Sequence, residues 1–315
     1  MKTKSFAPGR VCLLGDKSDL LNRPVIAAAI TKFFHFEFTP RNDSLIKFNF
    51  PQNNLYFQRD FYSNDKKDEF FKFFSQIAWR LKDKIAPFEC TVKGDLPIGS
   101  GLSSSAACSI GFLSGLNKMF NLGMNPRSIS EFAYQVEHFD FGIMCGRMDQ
   151  YSIGYGGVTF IETGNETKVT KIPIKEIPLV IGNSNEPRQA QHVLNKTMEL
   201  LNQNDPHFHA CFNMIHENVM NGYKALMRND LAELGARMSI HQGLERAMGA
   251  TTSKLDAMCD AAISAGALGA KQIGAGGGGC MIALCPGNMD KVMEAIRKCG
   301  ATVWKANIHP NRVVC

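Results

Sequence analysis

The sequence predicts an α+β protein of two domains, and three observations carry that expectation. At 315 residues, with 44% apolar and 20% charged side chains, the chain has the length and composition of a globular protein with room for two cores. Its first part is rich in apolar runs of strand length, and its last quarter alternates helix, strand, strand, helix, strand, a βαβ-like mixture. Strands are expected near residues 10 to 14, 25 to 38, 45 to 58 and 88 to 94, with a helix across Asp65 to Lys84 between the later ones. Helices follow from Ser105, where Ala106, Ile110, Leu113 and Phe120 recur at helical spacing, and from Ser128. Tyr155 to Glu162, Val169 to Ile174 and Leu179 to Ile181 read as strands. Beyond Asn183-Ser184-Asn185-Glu186-Pro187 the pattern turns helical through Ala190 to Asn202, His209 to Met227 and Leu231 to Met248, and again at Ser253 to Ala265 and Asn288 to Lys298. The domains are expected to divide at residue 183, giving 1–183 and 184–315.

The stretch from Leu96 to Ala107, with Gly99, Ser100, Gly101, Leu102 and then Ser103, Ser104, Ser105 and Ala106, is a small-residue loop running into a helix. Helix N-termini present unpaired amides and a positive dipole end, glycines let backbone approach an anion, and serine hydroxyls reach a phosphate or its Mg²⁺. An ordinary turn followed by an N-cap competes with that reading. No Lys-Ser or Lys-Thr follows the glycines, so a nucleotide site here is not a P-loop. A second cluster, Gly274 to Gly279, lies between two short apolar runs. It formally contains GxGxxG, but no helix follows, and a strand-loop-strand with close backbone approach fits better than a dinucleotide fold.

Near the start, Arg10 to Leu14 leads into a loop with Asp16, Lys17 and Asp19, and the apolar run Val25 to Ile30 leaves it. Charged residues between two buried strands suit a site, although a polar hairpin would look alike. Farther on, Glu137 closes a helix-like segment and Asp149 lies beyond a Gly-containing loop, placing one carboxylate for a metal and another for a proton. A helix-end acid and a cap Asp are the plain alternative.

Together these clusters resemble, in order, the three motifs of the GHMP kinase family. Arg10 to Asp19 resembles the first motif of the sugar kinases, Pro97 to Ala107 the second, and Gly274 to Cys280 the third. Cys145-Gly146-Arg147-Met148-Asp149-Gln150 is also similar to the stretch that carries the catalytic Asp in galactokinase-like members. The resemblance implies a ribosomal-protein-S5-like N-terminal domain, a ferredoxin-like C-terminal domain and a site between them. It implies Asp149 as acid-base residue, Arg10 as catalytic cation, and Ser105 and Glu137 as Mg²⁺ ligands. ATP phosphates would lie on Gly99 to Ala106, Gly276, Gly277 and Gly278 would shape the floor, and Asp16 and Asp19 would contact sugar hydroxyls. The expected activity is ATP-dependent phosphorylation of a sugar hydroxyl, the anomeric one. A mevalonate kinase-like enzyme and a non-catalytic sugar- and ATP-binding sensor are the alternatives.

Departures from galactokinase bear on the substrate. Lys17 stands where a histidine is expected, and Arg147 where an isoleucine is. Both add positive charge, which suits an anionic sugar, a uronate or a sugar phosphate; pairing of Arg147 with Asp16 or Asp140 would cancel that. Arg188 is a further candidate anion contact. His207, His209 and His216 read as surface histidines rather than metal ligands, and Tyr151 and Tyr155 as either pocket or core.

Composition excludes several classes. No run approaches the roughly 18 apolar residues of a membrane span, and Met1 to Lys4 leads into a strand, so a cytoplasmic location is expected. Ten cysteines without CxxC pairs, several within apolar runs, read as reduced core residues. The net charge of +6 is dispersed apart from Lys66-Lys67, which speaks against nucleic acid as partner. The expected partner is a small-molecule sugar, and the chain a monomer or homodimer.

Overall fold

The computed structural model describes residues 2–64, 69–164, 166–174 and 176–313. The expected helix start at Asp65 and the Lys66-Lys67 pair lie outside the described residues.

A seven-stranded sheet forms the first half. β1 (Thr3–Leu14) pairs antiparallel with β2 (Val25–Pro40), and β2 also borders β5 (Phe88–Gly94) and β6 (Val158–Glu162). The expected strand 45 to 58 is two, β3 (Leu45–Phe50) and β4 (Leu55–Asp60), because Pro51 opens a short turn of 3₁₀ helix and Asn54 adopts φ 54°. β7 (Lys168–Ile172) completes the sheet beside β6. β2 reads as a continuous apolar run at Val25–Ile30, where it is buried, and alternates later, where it faces solvent on one side.

α1 (Lys72–Arg80), α2 (Ser104–Phe120) and α3 (Pro126–Gln135) lie together, with α2 against β1 and β2. Gly111 and Gly115 make the close approach possible. A Cβ at either would come within 2.2 Å of the Phe36 ring or 2.0 Å of the Phe38 ring. Phe74 and Phe112 stack at 4.4 Å between centroids, amid Phe38, Phe48 and Phe88. Such rings supply the apolar burial that anchors the sheet, about 1.5–3 kcal/mol each.

The second sheet is β8 (Leu179–Asn183), β9 (Gly269–Gln272), β10 (Cys280–Leu284) and β11 (Thr302–Ala306), all antiparallel in the order β11-β8-β10-β9. That order, with α8 (Ser253–Ser264) before β9 and α9 (Met289–Lys298) before β11, is the ferredoxin-like arrangement. Leu179–Asn183, which the expected division at 183 leaves in the first domain, is hydrogen-bonded into this sheet, so we propose the division ahead of Leu179. Between β8 and α8 run α5 (Ala190–Asn202), α6 (Pro206–Met227) and α7 (Leu231–Ala247).

After β11 the chain returns to the first sheet. Thr31 N–H donates to Asn307 O (3.0 Å), His309 N–H to Ala29 O (2.8 Å) and Gly157 N–H to His309 O (2.7 Å). Gly156, at φ 64°, sits so close that a Cβ there would lie 1.8 Å from Asn311 O. The nine described cysteines are free, and no described helix is long and apolar enough to cross a membrane.

Candidate active site

Arg10 follows an irregularity in the β1–β2 register at Pro8/Gly9, where the strand turns its next side chain toward the loop after β5. Its backbone N–H donates to Leu102 O (3.1 Å) and its Nη1 to Gly101 O (2.7 Å), fixing the guanidinium. Nε and Nη2 then both donate to Asp149 Oδ1 at 2.7 Å. Asp149 stands in the first turn of a short helix, α4 (Met148–Tyr155), and its Oδ2 accepts from Ser103 Oγ at 2.5 Å. Ser103 is left-handed, φ 60°, between Gly101 (φ 95°) and α2. One cation, one carboxylate and one hydroxyl thus meet beside a helix N-terminus, where charge developing on a transferred group would be neutralised.

A cavity of about 370 Å³ opens there, lined by Arg10, Asp19, Ser103, Asp149, Arg188 and Gly274, with Gly99, Gly101, Ser104 and Ser105 on the α2 side. Larger hollows lie elsewhere, about 650 Å³ beside Arg23 and α6–α7 and about 620 Å³ on β1, β2 and β5. Neither contains the Arg10–Asp149 pair, and convergent chemistry rather than volume selects the smaller one.

Glu137 is 4% exposed, in a π-helical turn at Val136–Asp140 that continues α3. Ser109 Oγ donates to it at 3.4 Å, and no described cation pairs with it. Burial, and then the nearby Asp149 charge, push its carboxyl up to about 8. Ser105 lies one helical turn before Ser109, on the same face of α2. A buried, uncompensated carboxylate next to a hydroxyl suits a hard divalent cation. Asp19 is held by Met148 N–H to its Oδ2 (3.0 Å), and burial followed by the Asp149 charge raises it to about 6. Gly146 is required beside it, since a Cβ there would lie 2.1 Å from Asp19 Oδ2.

Several expected contacts fall elsewhere. Asp16 is fully buried and absent from the cavity wall; its Oδ2 takes Lys271 Nζ and its Oδ1 takes Gly274 N–H, both at 2.5 Å. Lys17 forms part of the wall, but its ammonium donates to Glu245 Oε2 (2.5 Å). Arg147 is not free either. It binds Glu131 through two hydrogen bonds of 3.0 Å and covers the Tyr134 ring at 4.1 Å, so it pairs with neither Asp16 nor Asp140. Gly276, Gly277 and Gly278 pack against Ala250, Val193 and Pro187 rather than the cavity, which Gly274 and Ala275 reach. Ser100, Leu102 and Ala106 are buried and do not line the cavity; Ser100 Oγ donates to Pro97 O (3.0 Å), and Leu102 contributes the carbonyl that takes Arg10 N–H.

Among the described residues, Arg188 lines the cavity and has no acid partner. Its guanidinium lies between the two glycine loops, 3.6 Å from where a Gly101 Cβ would sit and 2.9 Å from a Gly274 one, and its Nε has no hydrogen-bond partner. Burial first, then Arg10, lower its pKa. His207 and His209 bond the carbonyls of Ala247 and Leu201, and Tyr151 donates to Glu131. Asp16, His241 and Glu245 bring possible metal-ligating atoms within 4.8 Å of one another, yet Lys271 and Lys17 already supply the positive charge to both carboxylates. A lysine and a glutamine in the fully buried strand β9, just before the glycines, are the sequence signal for this network.

Residues 72–157 match the family model for the GHMP kinases N terminal domain, and residues 223–302 that for the GHMP kinases C terminal. Mevalonate kinase of Pyrococcus horikoshii is 27% identical, with 93% of this chain and 92% of the relative covered. D-glycero-alpha-D-manno-heptose 7-phosphate kinase of Campylobacter jejuni is also 27% identical, covering 95% and 94%. Among solved structures, Lactococcus lactis galactokinase complexed with galactose superposes with a TM-score of 0.87 at 22% identity, covering 99% of this chain and 95% of that one. Methanococcus jannaschii mevalonate kinase gives 0.81 at 22%, covering 98% of each. With both domain models matched in order and similarity running along nearly its whole length, the chain belongs to the GHMP kinases, ATP-dependent phosphotransferases that act on an alcohol group of a small molecule.

Proposed function

We propose that this chain transfers the γ-phosphoryl group of ATP to a sugar hydroxyl, the anomeric one, with Asp149 receiving the hydroxyl proton. The observation that carries this reading is the Arg10–Asp149–Ser103 constellation at the N-terminus of α2. Arg10 orients the Asp149 carboxylate and stands ready to neutralise charge on the transferred group. The amides and hydroxyls at Gly99 to Ser105 hold the ATP phosphates. Asp19, in the wall beside Asp149, accepts hydrogen bonds from acceptor hydroxyls. Positive charge for an anionic acceptor, a uronate or sugar phosphate, comes from Arg188 instead of Lys17 and Arg147.

Ser105 and Glu137 would hold Mg²⁺, which neutralises phosphate charge when bound. Since metal-free Glu137 titrates near 8, Mg²⁺ affinity should weaken as pH falls below that value, by up to about tenfold per unit, with Glu137 releasing its proton on binding. Mg²⁺ titrations between pH 6 and 9 with a non-hydrolysable ATP analogue check this. A flat profile, or one that Glu137→Gln leaves intact, would take Glu137 out of the metal site.

Mevalonate is a second acceptor supported by a separate observation, the similarity along nearly the full length to proteins named mevalonate kinase. Its carboxylate would suit Arg188, whereas Asp19 has less use against an aliphatic body. ADP release from Mg-ATP with neutral hexoses, uronates, sugar phosphates and mevalonate decides between them. Turnover of mevalonate alone would reject the sugar reading, and saturable binding without ADP release would favour a sensor.

A further inference from the structure

One charged side chain of the first motif reaches the cavity wall and is turned away from it. Lys17 adopts φ 66°, a left-handed conformation uncommon for a lysine. The ammonium does not enter the cavity. It is drawn onto Glu245 Oε2, with the two side chains 2% and 0% exposed. Glu245 belongs to α7 and does not line the cavity.

The surroundings hold Glu245 in that task. Gln272 Nε2 donates to the same oxygen at 3.0 Å, and His241 Nε2 stands 3.3 Å from Oε1. His241 Nδ1 accepts Gly15 N–H (3.3 Å), which leaves the ring proton on Nε2 and the imidazole neutral. Beside it, Lys271 and Asp16 form the second pair. Two ammonium groups and two carboxylates therefore cancel, and the wall formed by Lys17 presents no net charge.

We infer that Glu245 is a specificity-determining residue acting through Lys17: by holding that ammonium inside the wall it limits the preference of the cleft for anionic acceptors. The inference rests on the cavity being the acceptor site. A buried charge left without its counter-ion is felt strongly across a short distance of low dielectric. Removing the Glu245 charge would expose the acceptor to an uncompensated Lys17.

Glu245→Gln is expected to raise kcat/KM for D-galacturonate relative to D-galactose about tenfold over wild type, through KM, while Glu245→Asp stays within about twofold. Sulfate titrated into the Mg-ADP-loaded protein reads the same effect without an acceptor. Glu245→Gln should bind it about fivefold tighter, and the pair Lys17→Met with Glu245→Met should return it to the wild-type value. An unchanged ratio and unchanged sulfate affinity in folded Glu245→Gln overturn the inference and leave the kinase reading standing. Absence of ADP release by wild type with either sugar counts against the sugar reading, and the sulfate titration then decides on Glu245. If Glu245→Gln does not fold, the double variant decides. Wild-type sulfate affinity supports a neutral wall, whereas a loss of about fivefold or more would make Lys17 itself the anion contact and overturn the inference.

Discussion

Replacing Asp149 by Asn should lower turnover by about two to four orders of magnitude while nucleotide binding is largely retained. The amide cannot take the acceptor's proton at ordinary pH. It also puts an NH₂ in place of one of the two carboxylate oxygens at which Arg10 and Ser103 together direct three donor groups. With the amide oxygen toward Arg10, the Ser103 hydroxyl must turn from donor to acceptor, and the 4%-exposed Arg10 loses the charge that compensates it. Its other side-chain anchor, the Gly101 carbonyl, is neutral. ADP release measures turnover, and calorimetry with a non-hydrolysable ATP analogue measures binding. Wild-type turnover in this variant would remove Asp149 from the role of proton acceptor, and loss of nucleotide affinity in step with turnover would make it a binding residue.

The largest effect on stability is expected at Lys271, whose replacement by Met should cost about 3–5 kcal/mol in urea unfolding. The ammonium is fully buried and donates to Asp16 Oδ2, Gln272 O and Cys12 O, so its loss strands a buried carboxylate and two carbonyls. Gly274 N–H remains on Asp16, but a single amide does not compensate a buried charge. The same pair predicts an acid dependence. Desolvation pushes the Asp16 carboxyl upward, but the Lys271 ammonium, by its charge and its hydrogen bond, and the Lys17 charge more than offset it and bring it to about 2 from the usual 3.8. A depressed carboxyl contributes stability above its unfolded value and loses it as pH falls through its folded one. Wild type should therefore lose that contribution between about pH 4 and pH 2, a slope that Lys271→Met lacks. Unfolding midpoints measured across that range test both statements, and equal stability of the two proteins at pH 6 would show that the pair is dispensable to the fold.

The residues carrying backbone chemistry were the legible ones. Gly99, Gly101 and the serines announce a helix N-terminus by composition, and the apolar runs around Val25 and Cys280 announce buried strands. The short helix holding Asp149 carries no such signal. Gln150 and Ser152 are as buried as Ile153, so α4 has no polar face and no helical periodicity to detect. Charges misled for a different reason. Lys17, Arg147 and Asp16 have the residue types of ligand contacts, and their partners Glu245, Glu131 and Lys271 come from α7, α3 and β9, up to 255 positions away. Which charges cancel is a property of tertiary contact, and local sequence holds no record of it. The place of Arg188 after β8 marks it as a candidate, but its seat between the two glycine loops is set by tertiary contact.

The return of residues 307–309 to Ala29, Thr31 and Gly157 bears on how the protein is made. Synthesis proceeds from the N-terminus, so β2 and the helix bearing Asp149 leave the ribosome long before the segment that completes their hydrogen bonds. Until residue 309 is out, the amide of Gly157, just past that helix, lacks its partner, and so do the amide of Thr31 and the carbonyl of Ala29. A nascent chain halted after β11 would hold Arg10, Ser103 and Asp149 and still have an unfinished sheet edge behind them. The first sheet is thereby finished only by a segment that follows both domains in the order of synthesis.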